Sequence, residues 1–197
     1  MSGRRHEITR DDLIPMERYG QERKARRRAI VEMKKRRRLD VGPLCSFHFE
    51  NYETMLAQVH EMLFIEKGGE AQIPDELAAY NPLVPKGREL VVTIMFEIPD
   101  AERRRAVLST LGGVEETAFI EVAGETVTGV PEADVDRTTA DGKASSVQFV
   151  HFPFTDAQVD AFRSAGARIV VGLGHPNYTH MTVLSEDVRA ALAEDFD

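Results

Sequence analysis

Three groups of residues carry side chains able to do chemistry. The first lies in FHFENYETMLAQVHEMLFIEKGG (47–69), where Asn51, Gln58, Glu61 and Glu66 interrupt an otherwise largely apolar segment. Amides and carboxylates on such a segment need partners inside the fold. A buried carboxylate there would have a raised pKa, which suits acid/base work by Glu61 or Glu66 with His175 orienting a substrate. The second group is GHPNYTH (174–180), a polar stretch joining two apolar ones and holding His175, Asn177, Tyr178 and His180. Turns rich in imidazole, amide and phenol groups are suited to gripping a ligand or a metal. The third is His151, in HFPF at a strand end.

From these follow two candidate sets. Asn51, Gln58, Glu61, Glu66, His175, Asn177 and Tyr178 are candidate ligand-binding residues, and Glu61, Glu66, His151, His175 and His180 are candidate metal ligands. Carboxylates and imidazoles suit a transition metal such as iron, manganese or zinc. Each has an ordinary alternative. The histidines can be hydrogen-bonded loop residues, and Glu66 can pair with an arginine or cap a backbone N–H. RTTADGK (137–143) offers Arg137, Thr138, Thr139 and Lys143 to an anion, though its turn dipeptide Asp141-Gly142 marks a surface loop. No strong catalytic signature accompanies them: there is no phosphate-binding glycine loop, G-x-S-x-G, H-E-x-x-H or C-x-x-C. No catalytic residue can be named.

The elements that must position these groups can be read in order. Residues 1–14 form a loosely held arm, and Pro15 opens a basic helix through about Arg38. Its apolar line of Met16, Tyr19, Ile30 and Met33 is thin and interrupted by Arg23 and Arg26. A strand at 44–49 leads to a central helix capped by Asn51, whose stripe is Tyr52, Met55, Leu56, Val59, Met62 and Leu63. A short helix from Pro74 ends at Asn81-Pro82, and 89–98 alternates as a strand. Asp100 caps a helix that stops at Gly112-Gly113, and strands 117–122 and 125–130 form a hairpin around Ala123-Gly124. Strand 145–152, a helix with the capping box Thr155…Gln158, strands 168–173 and 179–184, and a helix capped by Ser185 complete the chain. About seven strands joined by short turns favour antiparallel pairing. The expected fold is α+β: a mostly antiparallel sheet with helices packed on one side and a basic N-terminal helix, residues 15–197 forming a single domain.

Charge is distributed unevenly. Residues 1–38 hold 14 Lys/Arg against 6 Asp/Glu, and the remainder 11 against 27, so a cationic segment precedes an acidic body. The body can neutralise the basic helix internally or across a homodimer, and Tyr19 is the one aromatic there for base stacking, so nucleic acid is disfavoured as a partner. No apolar run approaches a membrane span and no secretory signal is visible, which with the single Cys45 points to the cytoplasm.

The blocks ITRDDLIPMERY (8–19), the basic helix, 47–69, DELAAYNPLVP (75–85), GGVEETAF (112–119), RTTADGKASSV and GHPNY together resemble a bacterial family of unknown function, domain-of-unknown-function family three-five-zero-one. The resemblance implies one architecture throughout. It also implies a genomic setting beside rubrerythrin-like and iron–sulfur proteins, hence redox or stress metabolism. It implies no activity. Together these readings describe a ligand- or metal-binding accessory protein. The alternatives are an enzyme using a buried glutamate, or a protein binding an anionic partner through the basic helix.

Overall fold

Nine strands divide between two antiparallel sheets in the computed structural model, which describes residues 5–132 and 142–197. The strands are β1 (Arg38–Asp40), β2 (Cys45–Glu50), β3 (Glu89–Phe96), β4 (Ala118–Val122), β5 (Glu125–Thr128), β6 (Val130–Pro131), β7 (Val147–Pro153), β8 (Ile169–His175) and β9 (Tyr178–Val183). Their orders are β1-β2-β3-β7-β6 in the first sheet and β5-β4-β8-β9 in the second. The α-helices are α1 (Met16–Lys34), α2 (Tyr52–Glu66), α3 (Ile73–Tyr80), α4 (Ala101–Leu108), α5 (Asp156–Arg163) and α6 (Glu186–Ala193). The α+β class and antiparallel pairing are as expected, while the strands form two sheets where one was anticipated.

The division follows from burial. In β3 alternate side chains serve two cores: Leu90, Val92, Ile94 and Phe96 enter one, and Val91 the other. The larger core joins both sheets, with Phe47, Phe49 and Phe152 from the first, Ile120, Val171 and Leu173 from the second, and Phe162 and Phe196 beyond. The smaller core holds Met55, Val59 and Leu63 of α2 against Val91, Leu83, Val84 and Ile8. A strand buried on both faces reads as a nearly continuous apolar run, which ELVVTIMF is.

The N-terminal arm differs from expectation. Ile8 is only 1% exposed; its N–H donates to Asn81 Oδ1 at 2.7 Å and its carbonyl accepts from Asn81 Nδ2 at 2.9 Å. Residues 5–14 are therefore fastened to the turn after α3, because Ile8 fills a hole in the smaller core. Among the described residues no helix is long and apolar enough to cross a membrane.

Candidate functional site

α2 begins where the sequence places it. The Asn51 side chain accepts from Thr54 N–H at 2.9 Å, and Thr54 Oγ1 accepts from Asn51 N–H at 3.0 Å, a reciprocal cap that satisfies two otherwise unpaired donors. Asn51 is thus occupied in starting the helix. At the other end Glu66 is exposed and accepts from Gln72 Nε2 at 2.7 Å, while Lys67 in the left-handed region ends the helix.

Glu61 faces α1 instead, and Gln58, in the cleft lining beside it, turns its amide toward α3. Glu61 receives Arg23 Nε at 2.9 Å and Arg23 Nη2 at 2.8 Å, and the Tyr19 hydroxyl donates to it at 2.6 Å. The Arg23 bond chiefly holds the Glu61 carboxyl below the ordinary carboxylate range, with Tyr19 adding to it. Arg23 also lies over the Phe64 ring, 5.0 Å from its centroid. A raised pKa at Glu61 was expected from burial; the arginine reverses the direction. Gln58 Nε2 reaches toward the Tyr80 hydroxyl at 3.5 Å.

Around these groups α1 and α2 enclose a cleft of about 610 Å³. Ile30 and Met33 from α1 and Leu56, Ala57 and Met62 from α2 give it an apolar lining, with Val31 and Ile65 exposed beside it and Arg26, Arg27 and Lys34 among its polar members. Arg26 is held by Glu22 at 2.6 Å. Arg27 and Lys34 form no ion pair among the described residues.

A further cleft residue escaped the sequence reading. His60 is 2% exposed, its Nε2 accepts from Ile14 N–H at 3.2 Å, and its ring stacks on Tyr19 with centroids 5.0 Å apart. Burial lowers its pKa, so the neutral ring is favoured. The signal was its spacing: His60 lies four residues after Leu56 and three before Leu63, beside the apolar stripe.

The GHPNYTH segment is not part of this cleft. β8 runs to His175 and β9 starts at Tyr178, leaving a two-residue connection. His175 Nε2 lies 3.3 Å from Gly112 O and its Nδ1 accepts from Asn177 N–H at 3.2 Å. Asn177 Nδ2 donates to Thr110 O at 2.9 Å. Tyr178 donates to Val41 O at 2.9 Å and accepts from Leu44 N–H at 3.0 Å, and His180 packs edge-on against its ring. These polar groups fasten the β8–β9 hairpin to the end of α4 and to the β1–β2 connection.

His151 occupies a third place, with Nδ1 3.0 Å from Glu89 and Nε2 2.8 Å from Glu132. Those carboxylates raise its pKa, Glu89 foremost. The candidate metal ligands are therefore dispersed, and among the described residues no group of three or more His, Cys, Asp or Glu is placed to hold a metal ion. Arg137, Thr138, Thr139 and Asp141 of RTTADGK lie outside the described residues.

The family described as protein of unknown function (DUF3501) matches residues 7–196. The chain belongs to DUF3501. This DUF3501 chain is also similar to a solved crystal structure described as a novel protein of unknown function from Burkholderia pseudomallei K96243. The two share 37% identity with a TM-score of 0.89, over 96% of this chain and 99% of the other. No curated protein matches.

Proposed function

We propose that this protein is a binding protein whose recognition site is the α1–α2 cleft and whose ligand is an amphipathic organic anion, an aliphatic chain bearing a carboxylate or similar group. The supporting observation is an apolar lining combined with cations that form no ion pair among the described residues, Arg27 acting on Glu61 only through its charge. Ile30, Met33, Leu56 and Met62 supply the first, and Arg27 and Lys34 the second. At about 610 Å³ the cleft falls within the range of small-molecule sites, about 300–1,000 Å³.

The same geometry weighs against acid/base catalysis here, because Glu61 is ionised and bound by Arg23 and Tyr19. A metal occupant finds no converging ligand set among the described residues, so the organic ligand is the reading preferred. An accessory role in bacterial redox or stress metabolism, as the resemblance implies, is part of the proposal.

Titration calorimetry with straight-chain carboxylates of increasing length, beside the matching alcohols, tests it. Affinity should rise about fourfold per added methylene while the chain still fits, from about 0.8 kcal/mol per buried CH₂. Alcohols should bind more weakly than acids. Arg27→Glu with Lys34→Glu should remove that preference, and Ala57→Trp should block binding by filling the cleft. If no acid in the series gives heat or raises the melting temperature, the reading fails.

A further inference from the structure

The second sheet ends on a strand unlike the other three edges. β1 has three residues, including Arg38 and Asp40; β6 has two and ends in Pro131; β5 has four and begins with Glu125. Shortness, charge and proline are the devices by which sheet edges avoid pairing with other chains. β9 uses none of them. Its six residues, YTHMTV, include no Lys, Arg, Asp, Glu or Pro. Two large apolar side chains stand exposed on it, Met181 at 59% and Val183 at 51%.

Among the described residues the backbone of β9 is paired on one side only, with β8. Leu184 N–H donates to Ile169 O, just beyond the register that pairs Val170 with Val183 and Gly172 with Met181. Alternation along an antiparallel ladder therefore turns the N–H and C=O groups of Tyr178, His180 and Thr182 toward β8. Those of Thr179, Met181 and Val183 point to the outer edge. Contacts with the first sheet are made by side chains on the inner face: Thr182 Oγ1 donates to Asp40 O at 2.6 Å and Tyr178 to Val41 O. Among the described residues no backbone group bonds to that outer edge.

We infer that β9 pairs antiparallel with β9 of a second copy of this chain, across a two-fold axis at Met181, joining two four-stranded sheets into one continuous sheet. The strand is its own complement. In this register Met181 faces Met181 and Thr179 faces Val183, so each outward-pointing N–H and C=O meets its counterpart. The cross-strand pairs are apolar or β-branched, and no like charges meet at the seam of a chain whose net charge is −8. Each copy covers the other's Met181 and Val183, and the interface is isologous, as closed dimers require. The inference is independent of the ligand-binding reading, since β9 contributes nothing to the α1–α2 cleft.

Engineered cysteines test both pairing and register in the full chain. Directly opposed hydrogen-bonded residues have Cα atoms about 5.5 Å apart, within reach of a disulfide. Cys45, 3% exposed, stays out of the reaction. Met181→Cys should oxidise to a covalent dimer. Thr179→Cys, also exposed but facing Val183, should not, and Thr179→Cys with Val183→Cys together should restore cross-linking. By light scattering the wild type should be a dimer and Met181→Lys with Val183→Lys a monomer of unchanged circular dichroism. A monomeric wild type at every concentration tested would overturn the inference. So would equal cross-linking of Met181→Cys and Thr179→Cys, or a dimer that resists the lysine pair and yields to Ile30→Asp with Met33→Asp.

Discussion

Arg23 grips Glu61 with two prongs, Nε at 2.9 Å and Nη2 at 2.8 Å, across the seam between α1 and α2. The pair binds a cationic helix to an apolar one, with the Tyr19 hydroxyl as a third donor. Both side chains are mostly shielded, at 30% and 19% exposure, so the pair is worth more than a surface ion pair.

Replacing Glu61 with Ala should cost about 2 kcal/mol in urea unfolding at neutral pH, since three donors lose a charged acceptor. Because the folded carboxyl titrates below its ordinary value of 4.5, its contribution is present above that pH and lost as pH falls through the folded value. The gap between wild type and Glu61→Ala should therefore narrow in acid. A gap that stays constant down to pH 3 would mean the ion pair contributes little.

His60 gives a dependence at higher pH. Its folded pKa lies below the ordinary 6.5, so the unfolded chain takes up the proton first and stability declines as pH drops below about 6.5. His60→Phe keeps a ring against Tyr19 but strands the Ile14 N–H. It should cost about 1–2 kcal/mol at pH 7 and flatten this part of the profile. Denaturation midpoints of both proteins between pH 5 and 7.5 check the sign, and parallel profiles would refute it.

His151 behaves in the opposite sense. Glu89 and Glu132 raise its folded pKa, so its contribution is complete below about 6.5 and disappears as pH rises through the folded value. His151→Asn should lower the melting temperature at pH 6 and matter less at pH 9. An NMR titration that puts His151 below 6.5 would contradict the carboxylate clamp.

Gly42 tests how the sheets are joined. Its φ is +74°, and a Cβ there would stand 2.5 Å from the His180 ring and 2.7 Å from the Tyr178 hydroxyl. Gly42→Ala therefore adds left-handed strain to a clash beside the hydroxyl that bonds Val41 and Leu44. A loss of about 3 kcal/mol in chemical denaturation is expected, against about 1 kcal/mol for Gly124→Ala, whose φ of +81° brings the same left-handed strain but whose Cβ would meet nothing within 4 Å.

Sequence alone determined what depends on neighbours along the chain. The caps at Asn51, Asp100, Thr155 and Ser185 each receive a backbone N–H from three residues on, a bond that needs no distant partner. The hairpin at Ala123-Gly124 forms because both residues take positive φ, 50° and 81°. Family membership, carried by short blocks along the chain, was legible for the same reason.

What only the tertiary structure decided is which polar groups share a site. Glu61 and His175 both stood out as polar residues in apolar surroundings, and the two sheets send one toward α1 and the other toward the end of α4. Arg23, read as an interruption of a thin apolar line, became the partner that sets the Glu61 pKa. Ile8, read as part of a loose arm, became core. Each outcome turns on burial summed over side chains far apart in the chain, where the period of a helix or strand says which face is apolar but not which surface will cover it.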